Sequence, residues 1–87
     1  MNPIPETAAL LSLVVRAMVK DRDAVLVTAV PFAGGTSFEI RVADSEVSKL
    51  IGKSGRIVRS LKQLAQCIGL ENGAGYFDVN VINRGEQ

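Results

Sequence analysis

The sequence predicts an α+β domain in which helix, strand, strand, helix, helix and strand follow one another. Three observations predict it. Ser37 to Val42 alternates strictly, with Phe38, Ile40 and Val42 on one side and Glu39 and Arg41 on the other, the period of a half-buried strand. Val47, Leu50 and Ile51 fall at i, i+3 and i+4, and a second run with helical spacing starts at Arg56. Between these two runs stand Gly52 and Gly55, where the chain has to turn.

In chain order, Ile4-Pro5-Glu6-Thr7 reads as a helix start, with proline in the first turn and Glu6 complementing the positive end. The helix is expected to run to about Lys20. Leu11, Val14, Val15 and Met18 form one apolar stripe and Leu10, Leu13 and Ala17 a second, wider than a surface helix needs. Most of that surface is expected in the core, with part open to a protein contact. Val25 to Val30 is a β-branched strand, and Pro31 at its end fits an edge position. Ala33-Gly34-Gly35 marks a hairpin into the alternating strand. Asp44 then caps a short helix that has Glu46 in its first turn, and Gly52 ends it.

The next helix is expected from Arg56 to about Ile68, burying Ile57, Leu61, Leu64, Ala65 and Ile68. Gly69 to Gly75 reads as a flexible loop. Tyr76 to Ile82 alternates again with Phe77, Val79 and Val81 inward, and residues 83–87 read as a frayed tail. A right-handed crossover through the two helices makes the last two strands parallel. The expected result is a three-stranded mixed sheet with three helices on one face, its core spanning about residues 5–82.

The totals narrow the function. A chain of 87 residues holds one small core, so a single domain is expected. No run approaches the ~20 apolar residues of a membrane span, and Ala8 to Val15 lacks the basic leader of a signal peptide. The single cysteine, Cys67, fits a reducing cytoplasm and is read as a small buried hydrophobe. There is no histidine, no paired acidic cluster and no metal-ligand constellation, so no enzyme, metal or cofactor is expected. Lys49, Lys53, Arg56, Arg59 and Lys62 are half of the ten basic residues, and no acidic residue falls between Glu46 and Glu71. Such a field points to a localised anionic ligand, although a solvated helix face would give the same charges.

The turn Gly52-Lys53-Ser54-Gly55 opens a helix, and exposed backbone N–H groups with a positive helix end suit a phosphate. A Walker loop would need glycine at position 47, which is Val47, and a strand before it. A dinucleotide fingerprint would need glycine at position 50, which is Leu50. Both nucleotide loops fail. A turn between two helices on a shared core resembles a different device, the G-x-x-G loop of KH domains, which clamps the backbone of about four single-stranded nucleotides.

Leu50-Ile51-Gly52-Lys53-Ser54-Gly55-Arg56-Ile57-Val58 resembles the KH signature, hydrophobic-Ile-Gly-x-x-Gly-x-Ile. The preceding helix and strand make the chain similar to the type II arrangement, and its length to the small bacterial single-KH proteins of the KhpA family. The resemblance puts Thr36–Val42 in the middle of the sheet. It implies single-stranded RNA held by Gly52, Lys53, Ser54, Gly55 and Arg56, with bases lying in a hydrophobic groove. Ile51, Ile57, Val47, Ile40 and Val42 are candidates for its floor, and structural burial is the alternative for each. Arg41, Arg59 and Lys62 are outer contacts or merely solvated. The resemblance also implies a homodimer or a larger KH-containing partner, and a link to cell elongation and division. An assembly subunit whose RNA clamp is secondary is the rival reading.

Overall fold

A computed structural model describes residues 2–82, and the expected tail lies outside the described residues. Helix α1 spans Pro3–Met18, with the Asn2 side chain accepting the Ile4 N–H at 3.0 Å as its cap. Strands β1 (Leu26–Phe32) and β2 (Gly35–Arg41) form the hairpin, α2 covers Val47–Ile51, α3 Arg56–Glu71 and β3 Tyr76–Val81. Short 3₁₀ turns occupy Arg22–Ala24, Asp44–Glu46 and Lys53–Gly55.

The sheet order is β1-β2-β3, with β1 antiparallel and β3 parallel to β2. The alternating strand is central, as the resemblance implies, and the strand that carries Pro31 lies at an edge. Pro31 lies inside β1 rather than after it, opposite Thr36. An edge strand tolerates this because proline withholds only an N–H that no neighbour needs.

Thr36, Phe38 and Ile40 of β2 and Phe77 and Val79 of β3 turn to the buried face. Leu11 and Val15 of α1, Leu50 of α2, and Leu61 and Ala65 of α3 close on them. Phe38 and Phe77 meet edge-on with ring centroids 5.1 Å apart, a favoured aromatic geometry. The buried Thr7 hydroxyl donates to the Pro3 carbonyl at 2.6 Å, so it enters the core without an unmet bond.

Several expectations are corrected. Helix α3 continues through Gly69 to Glu71, so the expected loop begins at Asn72, three residues after that glycine. Gly69 is buried beneath the start of β3, where a Cβ would stand 2.6 Å from the Gly75 carbonyl and 2.9 Å from the Phe77 ring. It is a packing glycine. Its bare backbone lets the Leu61–Ala65–Gly69 row face the sheet, which leaves Leu64 at the rim, 39% exposed. Cys67 falls on the far side of that helix and is exposed, so it is not the buried hydrophobe expected. On α1 the second stripe, Leu10, Leu13 and Ala17, also faces outward rather than into the core. Periodicity shows that two stripes exist; only the docking of α1 on the sheet decides which one is covered.

Glu46 is the polar residue that sequence reasoning underrated. It is buried, and its carboxylate accepts the Lys20 N–H at 2.7 Å and the Asp21 N–H at 2.9 Å, with Lys49 Nζ at 3.5 Å. It pins the end of α1 to the entry of α2. These backbone bonds to Lys20 and Asp21, with Lys49 beside them, hold its pKa below the usual carboxylate value. A depressed folded-state pKa adds stability above the unfolded-state value and loses it as pH falls through the folded one. Thermal melts should therefore show Glu46→Gln less stable than the parent at neutral pH, with the difference shrinking as the pH falls below about 4. A constant difference across that range would rule out the ionised bridge.

Candidate nucleic-acid interface

The segment between α2 and α3 is built from unusual backbone. Gly52 closes α2 at φ 80°, ψ 172° and donates its N–H to the Ser48 carbonyl at 2.9 Å. Ser54 and Gly55 then take consecutive left-handed conformations, φ 58° and φ 72°. Among the described residues Ser54 is the only non-glycine with positive φ. This bend reverses the chain within four residues and starts α3 with no side-chain cap. The uncapped end leaves the positive pole of a 16-residue helix beside Lys53 and Arg56.

Lys53, Ser54, Arg56 and Arg59 are exposed, while Ile51, Gly52, Gly55 and Ile57 are half-buried beside them. All eight candidates lie in or next to one bend. The outer basic residues divide differently. Arg41 stands 3.8 Å from Glu39, Lys62 3.8 Å from Asp78 and Lys49 3.5 Å from Glu46. Each has part of its field cancelled by a carboxylate on its own surface. Among the described residues no carboxylate lies in ion-pair range of Lys53, Arg56 or Arg59. Arg16, Lys20 and Arg22 are likewise without a carboxylate in range, so what marks the bend is three unpaired cations within seven positions of sequence.

The groove floor is smaller than the residue list suggested. Ile40, Val42 and Val47 are buried in the core, so burial accounts for all three. Ile51 and Ile57 keep partial exposure and remain the apolar surface next to the turn. Ile57 packs directly on Gly52, where a Cβ would lie 2.8 Å from its Cγ1. Arg59, expected as an outer contact or merely solvated, donates from its Nη2 to the Ser54 carbonyl at 2.7 Å. No spacing rule in the sequence signals that bond, because it depends on the left-handed bend.

A glycine-bounded turn joining two helices on a three-stranded mixed sheet defines a KH-type domain. The chain belongs to the KhpA/KhpB KH-domain family, whose model matches residues 8–81. That family is non-enzymatic. The chain is 34% identical over 64 residues to the RNA-binding protein KhpA of Aquifex aeolicus, covering 74% of this chain and 81% of that protein. It is 42% identical over 55 residues to the RNA-binding protein KhpA of Treponema pallidum, covering 63% of this chain and 69% of that one. The same name is carried by a Borreliella burgdorferi relative, 34% identical over 55 residues, 63% of this chain and 67% of that one. No solved structure matches the chain. No helix among the described residues is long and apolar enough to cross a membrane.

Proposed function

We propose that this chain is a non-catalytic single-stranded RNA-binding protein that clamps the RNA backbone with Gly52-Lys53-Ser54-Gly55. The observation that carries the reading is the bend itself, with three cations free of carboxylate partners at an uncapped helix start. The relatives' names as RNA-binding proteins support it. Lys53 and Arg56 pair with successive phosphates, and the glycines let the strand approach. Ile51 and Ile57 offer bases an apolar side without aromatic stacking, so base discrimination is modest. Neutralising two or three phosphates gives log affinity a slope of about −1.4 to −2 against log salt.

The clamp is tested by Lys53→Asp with Ser54→Asp, titrated against a short single-stranded RNA. Aspartate accepts left-handed backbone, so the variant should fold. Its RNA affinity should fall by at least about 100-fold, because a cation becomes an anion beside a second new anion. A folded variant that binds as the parent does would sink the clamp.

One four-nucleotide site is weak, so the proposal includes avidity through a homodimer or a larger KH-containing partner. The exposed Leu10, Leu13 and Leu64 favour some such contact on the helical layer. They also keep the assembly-subunit reading alive, which gains if the clamp variant retains partner binding and the parent shows no RNA binding. A cytoplasmic role in post-transcriptional regulation, linked to cell elongation and division, belongs to the same proposal.

A further inference from the structure

We propose that Arg59 is a positioning residue that latches the clamp loop before RNA arrives. The inference rests on the loop being the RNA site, and it changes what Arg59 does there. Ser54 occupies a left-handed conformation that carries a steric cost for any residue with a Cβ. Something must hold it. The Arg59 Nη2 is 2.7 Å from the Ser54 carbonyl oxygen, and the same nitrogen lies 3.8 Å from where a Cβ on Gly55 would stand. One guanidinium therefore covers the peptide that joins the two left-handed residues.

Arg59 sits one turn into α3, whose Leu61 and Ala65 are locked in the core, so the latch is anchored on a rigid element. No carboxylate among the described residues competes for it. A charged donor to a carbonyl is the stronger kind of hydrogen bond, and arginine's planar head fixes its direction. With the latch in place, the bend is populated in the free protein and RNA does not have to pay for ordering it. Without it, apparent affinity falls by the fraction of molecules still correctly bent.

The test compares Arg59→Met, Ser54→Gly and the double variant, each titrated with a short single-stranded RNA at several salt concentrations. Arg59→Met should weaken binding about 3- to 10-fold at every salt concentration, with the salt slope unchanged. Glycine at position 54 enters the left-handed region freely, so the double variant should bind within about twofold of Ser54→Gly alone. A slope shallower by about 0.7, with no rescue by glycine, would make Arg59 a phosphate contact and overturn the latch. Amide hydrogen exchange without RNA gives a separate reading: Ser54, Gly55 and Arg56 should exchange faster in Arg59→Met, and unchanged rates would also overturn it. If the clamp reading itself fails, the Lys53→Asp, Ser54→Asp variant binds RNA normally, whereas the exchange comparison needs no RNA.

Discussion

Replacing Gly52 by alanine should lower stability by about 3 kcal/mol and weaken RNA binding in whatever fraction stays folded. Two independent penalties combine. At φ 80°, ψ 172° the backbone lies where side chains are rarely found, a conformational cost of about 1–3 kcal/mol. The new Cβ would also stand 2.8 Å from Ile57 Cγ1 and 3.1 Å from its Cβ, and overpacking of this kind costs about 1–3 kcal/mol. Ile57 cannot easily retreat, because it is half-buried against the core. For a domain of this size 1 kcal/mol moves the melting temperature by about 4–8 °C, so a drop of 12 °C or more should be seen by circular dichroism.

Gly55 provides the contrast. Its φ of 72° is left-handed too, but a Cβ there meets nothing closer than 3.8 Å. Gly55→Ala should cost only about 1–2 kcal/mol. Equal losses at the two glycines would show that the contact with Ile57 does not matter. The first glycine is held by packing, whereas the second mainly keeps the approach open.

Phe38→Ala should be the most damaging single truncation, costing about 3–5 kcal/mol. Phe38 lies on the central strand, fully buried, with its ring edge-on to Phe77. Neighbouring strands and the helical layer enclose the site, so it cannot collapse to fill the void. Small domains are stable by only about 5 kcal/mol, so little or no net stability is left and the variant should melt at or not far above 37 °C. Phe38→Leu keeps most of the volume and should remain folded with a lower melting temperature. An alanine variant melting within a few degrees of the parent would contradict the close packing around Phe38.

Much of this was legible because it depends on local chemistry. The β2 alternation, the hairpin at Ala33-Gly34 and the break at Gly52 each follow from what neighbouring residues can adopt. The eight candidate residues were legible for the same reason, since a G-x-x-G turn places them within nine positions of sequence. What could not be read was orientation. Leu64 and Cys67 were placed in the core by periodicity alone, yet the rotation of α3 is set by the close approach of Gly69 to β3. Glu46 reads in the sequence only as an acidic residue in a helix's first turn, but its partners are backbone amides about 25 positions away, at Lys20 and Asp21.

By itself, then, the sequence determined the element order, the central strand's two faces and the place of the glycine turn, because periodicity and backbone sterics act over a few residues. The tertiary structure alone decided which apolar stripe of α1 is covered and which basic residues keep their field. It also decided that Arg59 turns back onto the loop. Each of these depends on which groups the fold brings within a few ångströms, and dispersion, ion pairing and hydrogen bonding act only at that range.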